Sequence, residues 1–207
     1  MTQAFATAPL LLTLALISGY LLGAIPFGLI LTRLAGLGDV RQIGSGNIGA
    51  TNVLRTGRKG LAAATLALDA AKGAGAVLLT LALFDQTPTG KAVAAFAGLA
   101  AILGHMFPFW LRFKGGKGVA TAGGVLAVLH WPTAVMSIAI WLAVALITRV
   151  SSLAALLACG AAPFLLWGFG ATPLIAPVAL MVAFIVWAHR ANIARLRAGS
   201  EPRIGQK

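Results

Sequence analysis

The sequence predicts an all-α integral membrane protein with seven transmembrane helices, an external N-terminus and a cytoplasmic C-terminus. Hydrophobic residues make up 59% of the 207 residues and charged residues only 10%, whereas soluble domains carry about 25% charged residues. Because about 20 apolar residues cross the hydrocarbon core as a helix, a chain of this length predicts one compact bundle. We therefore treat residues 1–207 as a single polytopic membrane domain.

Seven apolar runs supply the helices of this bundle. They cover residues 8–32, 61–84, 92–111, 118–130, 132–148, 151–169 and 173–189. The fourth run is short for a full span, although glycines at 115–116 precede it and His130-Trp131-Pro132 offers a turn after it. If the fourth and fifth runs form one re-entrant hairpin, the number of spans becomes five and the two chain ends keep their sides.

Lysine and arginine residues predict which helix ends face the cytoplasm. Fourteen of the sixteen fall in four segments, which are residues 33–60, 112–117, 149–152 and 190–207. Lys72 lies inside the second run, and Lys91 alone falls on the other side. By the positive-inside rule the four segments are cytoplasmic. The first ten residues contain no lysine or arginine, so we expect the first run to be a retained helix and not a cleaved signal peptide.

Composition also bears on the class of function. The net charge of +12 invites a nucleic-acid interpretation, but the cations lie in short segments without interleaved aromatic residues, which fits anionic lipid headgroups or a phosphorylated substrate better. Cys159 is the only cysteine and lies in the middle of a run, so we expect no disulfide and no cysteine metal site. Neither a cofactor nor a bound metal is expected.

The first cytoplasmic segment contains a glycine-rich, basic stretch, IGSGNIGATNVLRTGRKG, at residues 43–60. Residues 44–49 match the dinucleotide-binding pattern, but that fingerprint needs a βαβ unit. Its mechanism still applies, because glycines let backbone N–H groups approach an anion and a helix starting near Ala50 would direct its positive end there. Further polar and cationic partners are Ser45, Thr51, Asn52 and Arg55. The alternative is an ordinary solvated cationic loop.

A second stretch, GHMFPFWLRFKGGKGVAT at residues 104–121, repeats this chemistry. Lys114 and Lys117 frame two glycines just before the fourth run, which suits a phosphate beside a helix N-terminus. It is no Walker A loop, because Gly118 stands where Ser or Thr would bind magnesium. For His105 the alternatives are substrate contact and simple packing near the interface.

The third basic stretch is HRANIARLRAGSEPRIG, residues 189–205, after the last run. If the helix continues, His189 and Asn192 lie on one face because they are three residues apart, and such a face could look into a site. The alternative is a polybasic tail that contacts anionic lipid.

Two pairs of polar residues accompany the basic stretches. Asp69 and Lys72 lie three apart inside the second run, where ionisable residues usually face the bundle interior or a wet cavity. A structural ion pair is the simplest interpretation of this pair. Ser151 and Ser152 lie at the cytoplasmic turn before the sixth run, where they are candidate helix caps.

Together, the three basic stretches resemble the bacterial acyl-phosphate:glycerol 3-phosphate acyltransferases, the PlsY family. The resemblance rests on GSGNIGATNVLR at 44–55, on GH, FP and FKGGKGVAT within 104–121, and on HR, NI, RL, G and EP within 189–202. GYLLGAIPFG in the first run and LDAAKG in the second are also similar, so the match runs nearly end to end. The departures are small, such as Ala191 where an acidic residue is common.

The resemblance implies a seven-helix enzyme of the bacterial inner membrane whose active site faces the cytoplasm. Such an enzyme transfers a fatty acyl group from acyl phosphate to glycerol 3-phosphate, giving lysophosphatidic acid and inorganic phosphate, the first step of membrane phospholipid synthesis. The two substrates and membrane lipid are the expected partners, with no nucleic acid and no obligate protein partner.

Residues of the three stretches and the two polar pairs form the expected site. The expected catalytic residues are Ser45, Arg55, Lys117, Ser152, His189 and Asn192. The expected substrate-binding residues are Gly44, Gly46, Asn47, Thr51, Asn52, Arg58, Asp69, Lys72, His105, Lys114, Gly115, Gly116, Gly118 and Arg195. Acyl phosphate has a good leaving group, so this site has to hold two phosphates, orient a hydroxyl and stabilise charge on the carbonyl oxygen. It needs no covalent nucleophile.

A transporter or binding protein for phosphorylated solutes is the competing class. Transporters tend to show inverted repeats and helices broken at the midplane. Here the glycine-rich polar stretches lie at one face of the predicted bundle, which favours the enzyme.

Overall fold

The computed structural model describes residues 2–84 and 88–205, and all regular structure within these ranges is helical. Lys207, one of the cations assigned above to the cytoplasm, lies outside the described residues. In chain order the helices are α1 (Thr2–Gly23), α2 (Phe27–Leu34), α3 (Ala50–Leu54), α4 (Lys59–Phe84), α5 (Pro88–Met106), α6 (Val119–Leu129), α7 (Trp131–Thr148), α8 (Ser151–Gly168), α9 (Ile175–Ala188) and α10 (Arg190–Arg197). Short 3₁₀ helices cover Val40–Gln42, Phe109–Leu111 and Thr172–Leu174.

Every predicted run forms helix, but the runs differ in their ability to span a membrane. In the described part of the chain, five segments are long and apolar enough: Pro9–Leu34, Lys59–Phe84, Gly90–Leu111, Trp131–Thr148 and Ser151–Gly168. The last run forms a pair bent by 60°, Thr172–Ala188 with Arg190–Arg197, which adds a sixth span if it is counted as one. The fourth run, α6, has only 11 residues. Five spans are therefore established by length and composition, and seven remains a prediction.

The fifth run is long and apolar enough to span a membrane by itself. α7 has 18 residues and is itself one of the five spans. The five spans thus include α7 and leave out α9, whereas the re-entrant alternative would have merged α7 with the fourth run.

The first predicted run is interrupted near its C-terminal end. α1 ends at Gly23 and α2 begins at Phe27, directly after Pro26. Proline lacks a backbone N–H and its ring clashes with the preceding turn, so it breaks a helix. Both helices still lie within one apolar span, residues 9–34, and α2 leads the chain into the first basic stretch.

Glycines bring the helices of the first half into backbone contact. A Cβ atom at Gly23 would lie 1.9 Å from the carbonyl oxygen of Ala101 in α5, and a Cβ atom at Gly124 would lie 1.9 Å from that of Ala70 in α4. Small residues at such positions let membrane helices approach closely. The contacts join α1, α4, α5 and α6 into one unit.

The larger apolar core lies between α5, α6, α8 and α9. Its buried side chains include Ile102, Val125, Leu166, Met181 and Ile185. A smaller core under the first basic stretch contains Leu29, Val40, Ile48 and Val53. Together the two cores hold the glycine-rich stretches at one end of the bundle.

Candidate functional site

Asn52 organises the first basic stretch. Its side chain is 2% exposed, and its amide donates hydrogen bonds to the carbonyl oxygens of Val40 (2.8 Å) and Asn47 (2.7 Å). Its Oδ1 accepts the backbone N–H of Ser45 at 3.1 Å. These bonds occupy both amide hydrogens. Asn52 was predicted to contact substrate, but the structure gives it the role of folding the loop.

The same loop leaves a serine and an arginine exposed side by side. Gly44 has a φ of +53°, and a Cβ atom there would lie 2.5 Å from both Arg55 Cδ and Asn52 Oδ1. The Arg55 side chain therefore lies across Gly44, next to Ser45, and both Ser45 and Arg55 are exposed. Gly46 also requires a positive φ, of +67°. A side chain at position 44 would displace the arginine.

The loop then turns into α3. Asn47 Oδ1 accepts the N–H of Gly49 at 3.0 Å, which forms a local turn before the helix. α3 begins at Ala50 as predicted, but it has only five residues, so its dipole is small. Thr51 and Arg58 are exposed beside it.

The second stretch is built differently from the predicted cradle. The N–H groups of Gly115 and Gly116 donate to the carbonyl oxygens of Met106 (3.0 Å) and His105 (2.9 Å) at the end of α5. A Cβ atom at Gly116 would lie 1.9 Å from His105 Nε2. These two glycines thus serve packing, and their amides are not free for a phosphate. Lys114 is exposed.

Gly118 and Lys117 retain the predicted geometry. Gly118 has a φ of +82° and is the residue from which α6 starts. Lys117 precedes it and lies half-buried, with its ammonium directed into the bundle end. The parts of this stretch that are available to an anion are the Lys117 side chain and the first turn of α6.

Lys117 belongs to a hydrogen-bonded network that joins three separate segments. Lys117 Nζ donates to Asn192 Oδ1, and Asn192 Nδ2 donates to Glu201 Oε1. Glu201 Oε1 also accepts the Ser152 hydroxyl at 2.6 Å, while Oε2 accepts Arg195 Nε at 2.7 Å. The predicted residues Lys117, Asn192, Ser152 and Arg195 therefore meet, and a carboxylate connects three of them directly.

Glu201 lies at the centre of this network, and the sequence analysis did not place it among the site residues. It was treated as part of a polybasic tail, although it is one of only four acidic residues in the chain. A lone acid among arginines was the available signal, because an unpaired negative charge in such surroundings attracts cationic partners. Its side chain is only 8% exposed.

The charges in this network hold one another in place. Burial opposes ionisation of Glu201, but hydrogen bonds from Ser152, Asn192 and Arg195 outweigh it and hold the pKa of its carboxyl below the usual value. Burial lowers the pKa of Lys117 to about 8, and the nearby Glu201 charge partly offsets this shift. Lys117 is thus charged at neutral pH but loses its proton more readily than an ordinary lysine.

His189 lies at the junction between α9 and α10. Its ring is buried, and Nδ1 lies 2.8 Å from the carbonyl oxygen of Ile185. A carbonyl only accepts hydrogen bonds, so Nδ1 carries the proton. Nε2 of the neutral ring is therefore a proton acceptor. The helix was expected to continue through His189 and place it on one face with Asn192, but it bends by 60° there, so His189 ends α9 and Asn192 lies in the first turn of α10.

Two contacts connect the network to the rest of the site. The hydroxyls of Thr51 and Ser151 lie 3.2 Å apart, which joins the first basic stretch to the start of α8. The backbone N–H of Ile204 donates to the carbonyl oxygen of Arg149 at 2.6 Å, and Arg149 donates back to Ile204 at 3.0 Å. The tail after α10 is therefore folded back beside Ser152.

Three residues predicted to contact substrate lie inside the bundle instead. Asp69, Lys72 and His105 are 2%, 5% and 4% exposed. Asp69 Oδ1 lies 2.7 Å from Lys72 Nζ and 3.6 Å from His105 Nδ1. Asp69 and Lys72 therefore form the structural ion pair given above as the simplest interpretation, and His105 packs inside the bundle.

This arrangement favours binding and orienting anions over nucleophilic catalysis. Among the described residues, the rings of His130 and His189 hydrogen-bond Thr133 and a backbone carbonyl, not a serine or cysteine. The Ser152 hydroxyl is committed to Glu201. A nucleophile–base pair of the kind that activates serine or cysteine is therefore not formed in this part of the chain.

Comparisons with known proteins cover nearly the whole chain. A family model described as glycerol-3-phosphate acyltransferase matches residues 13–199. A protein of that name from Rhodopseudomonas palustris (strain BisB5) is 56% identical over 193 residues, which are 93% of this chain and 96% of the relative. One from Mesorhizobium japonicum is 59% identical over 197 residues, 95% and 97% of the two chains.

Solved structures agree with the described fold. A crystal structure of PlsY, an integral membrane glycerol 3-phosphate acyltransferase, in its glycerol 3-phosphate form matches with a TM-score of 0.87 and 39% identity, over 94% of this chain and 96% of that chain. Its lysophosphatidic acid form matches with a TM-score of 0.85 and 38% identity, over 94% and 95% of the chains. Both structural matches cover 94% of this chain.

Proposed function

Because this chain belongs to the glycerol-3-phosphate acyltransferase family, we propose that acyl phosphate is the donor from which it transfers an acyl group to glycerol 3-phosphate. The resemblance seen in the sequence is confirmed, and the protein is a membrane acyltransferase of phospholipid biosynthesis. The transporter interpretation is not retained, because relatives matching over the full length are named as acyltransferases.

One observation carries the choice of donor. Two cationic groups, Arg55 beside Ser45 and Lys117 in the Glu201 network, are presented at the same end of the bundle without an activated nucleophile among the described residues. Such a site suits two phosphorylated substrates, one of which already carries a good leaving group. Acyl phosphate meets that condition, because phosphate leaves without prior transfer of the acyl group to the protein.

The reaction is proposed to be a single displacement. The glycerol 3-phosphate hydroxyl oxygen attacks the acyl carbonyl carbon, the bond from that carbon to the phosphate oxygen breaks, and inorganic phosphate leaves with lysophosphatidic acid as the other product. Arg55 and Lys117 hold the two phosphate groups, with Ser45 as a hydrogen-bond donor. The hydroxyl proton goes to Nε2 of His189 or to an oxygen of the leaving phosphate.

Phosphate release tests this proposal. Purified protein in lipid vesicles is given acyl phosphate, and inorganic phosphate is followed with and without glycerol 3-phosphate. We expect release only when both substrates are present, with one lysophosphatidic acid formed per phosphate. Release that ignores glycerol 3-phosphate, or acyl transfer that requires another donor, would contradict it.

The single displacement also predicts that no acyl group is trapped on the protein. Enzyme is incubated with radiolabelled acyl phosphate alone and then denatured, and we expect no label on the chain. Cys159→Ala should be fully active, because this thiol lies in the middle of α8. Label that is retained and then removed by glycerol 3-phosphate at the turnover rate would establish a two-step reaction.

The pKa of Lys117 predicts the pH dependence. Since burial lowers this pKa to about 8, the phosphate-binding charge is present below that pH and lost above it. We expect kcat/KM to fall as pH rises through about 8, whereas an ordinary lysine would keep its charge to about 10. A profile that stays flat to pH 10 would mean that Lys117 does not hold a phosphate.

We further propose that the site faces the cytoplasm of the bacterial inner membrane and that the chain has seven spans with the N-terminus outside. The distribution of lysine and arginine supports this orientation. The assignment treats α6 and α9 as spans and keeps 33–60, 112–117, 149–152 and 190–207, which includes α10, as cytoplasmic segments of one domain. A reporter before Met1 should report the outside and one after Lys207 the cytoplasm, whereas reports from the same side would require an even number of spans.

A further inference from the structure

The break in the first span takes the backbone carbonyls of Ala24 and Ile25 out of the regular helical hydrogen-bond pattern, and Ile25 keeps only a local bond from the Phe27 N–H at 3.1 Å. Between α1 and α2 the chain runs through Ala24, Ile25 and Pro26, so the carbonyls of Ala24 and Ile25 lie outside both helices. Carbonyl groups at such depth in a membrane protein are costly unless they are hydrogen-bonded. The carbonyls of Ala24 and Ile25 are each capped by a side chain from another element.

The two caps come from different parts of the bundle. Trp110 Nε1, in the second basic stretch, donates to the Ala24 carbonyl oxygen at 2.8 Å. Lys72 Nζ, in α4, donates to the Ile25 carbonyl oxygen, also at 2.8 Å. Asp69 holds the Lys72 ammonium from the other side at 2.7 Å. The buried ion pair therefore has a definite task, which is to complete the broken helix.

The first basic stretch is attached to the helix after the break. A Cβ atom at Gly28 in α2 would lie 1.9 Å from the carbonyl oxygen of Ile48, so the stretch packs directly on the α2 backbone. The orientation of α2 thus determines where this stretch, including Ser45 and Arg55, is held.

The second stretch is attached to the helix before the break. The Tyr20 hydroxyl in α1 donates to the carbonyl oxygen of Phe107 at 2.7 Å. A Cβ atom at Gly104 would lie 2.1 Å from the Tyr20 carbonyl oxygen. Lys117 is attached to the same part of the fold, because the N–H of its neighbour Gly116 donates to the carbonyl oxygen of His105 at 2.9 Å. The first stretch is thus packed on α2 and the second on α1, so the break between these helices sets the position of one stretch relative to the other. We call this break the joint.

We propose that Lys72 and Trp110 are positioning residues for acyl transfer, which fix the distance between the two phosphate-holding stretches by capping the break at Ala24 and Ile25. The inference rests on the proposed function, in which each stretch holds one substrate. Reaction between two bound substrates requires their atoms about 3 to 3.5 Å apart, and a misplacement of about 1 Å costs on the order of a hundredfold in rate. A loosened joint therefore slows the chemical step more than it weakens binding.

Trp110→Phe is the decisive variant, because it removes the indole N–H and keeps a ring at a half-exposed position. We expect kcat to fall on the order of tenfold while KM for each substrate stays within about twofold. The matched control is Trp167→Phe, which should leave kcat unchanged. Trp167 is an exposed indole at the C-terminal end of α8, the end away from Ser152. Lys72→Met should lower kcat at least as much, and if it does not accumulate, Trp110→Phe decides alone.

A distance measurement tests the joint independently of activity. Spin labels are placed at two exposed positions in a Cys159→Ala background: Gln42→Cys, directly before the first stretch, and Arg112→Cys, in the second. We expect Trp110→Phe to shift or broaden the distance distribution and Trp167→Phe to leave it unchanged. Unchanged kcat, a loss confined to KM, or an unchanged distribution in Trp110→Phe would overturn the proposal. If acyl phosphate is not the donor, the wild-type protein fails the phosphate-release assay, but the distance measurement still tests the joint.

Discussion

Lys117→Ala is expected to lower kcat/KM at least tenfold while the protein still accumulates in the membrane. Lys117 is proposed to contact a substrate phosphate, and a hydrogen bond to a charged group contributes about 1.5 to 3 kcal/mol. Because about 1.4 kcal/mol corresponds to a factor of ten, the loss should lie between tenfold and somewhat over a hundredfold. Steady-state kinetics with both substrates in vesicles measures it.

Lys91→Ala provides the matched control. Lys91 is an exposed cation in α5, near the end opposite Lys117, so its removal should leave kcat/KM unchanged. Arg55→Ala should also lose at least tenfold, because the Arg55 side chain lies across Gly44 beside Ser45. Wild-type kinetics in Lys117→Ala would remove this lysine from the proposed site.

The sequence predicted the helices and the identity of the basic stretches because both depend on local patterns. Apolar runs, the glycines that begin α3 and α6, and the segregation of lysine and arginine are all properties of neighbouring residues. The helix starts at Ala50 and Val119 were predicted correctly. The break at Pro26 was missed because both flanking helices are apolar and form one continuous run.

The partners of individual side chains and amides could not be predicted, because they depend on the folded path of the loops and not on the pattern of neighbouring residues. Gly115 and Gly116 have the composition of a phosphate loop, yet their amides bond to the end of α5. Asn52 has the chemistry of a substrate donor, yet it bonds to its own loop. Glu201 was read as part of a basic tail, although two of its partners, Asn192 and Arg195, lie in that tail and only Ser152 is distant, 49 residues away.

Glu201→Ala is expected to have the largest effect of any substitution considered, lowering kcat/KM at least a hundredfold and reducing thermal stability. Its carboxylate accepts hydrogen bonds from Ser152, Asn192 and Arg195. Bonds to a charged acceptor are worth about 1.5 to 3 kcal/mol each, and donors left unpaired in a buried place add a penalty. Loss of Glu201 also frees Asn192, which holds Lys117.

Ser200→Ala is the control for Glu201→Ala. Ser200 is the exposed neighbour of Glu201 in the same tail, and its hydroxyl makes only a long contact of 3.4 Å with the Arg195 carbonyl oxygen. We expect it to match the wild type in kinetics and in melting temperature. If Glu201→Ala also matches the wild type, the network does not organise the site.

Glu201→Gln removes the charge of this residue and keeps its shape. The pH dependence of kcat/KM is the measurement. The negative charge of Glu201 raises the pKa of Lys117 against the larger effect of burial. The neutral amide removes that support, so the pKa of Lys117 should fall further below about 8. The fall of kcat/KM with rising pH should therefore begin at lower pH in Glu201→Gln than in the wild type. A basic limb that does not move, in a variant that remains folded, would mean that Glu201 and Lys117 do not interact electrostatically in the working enzyme.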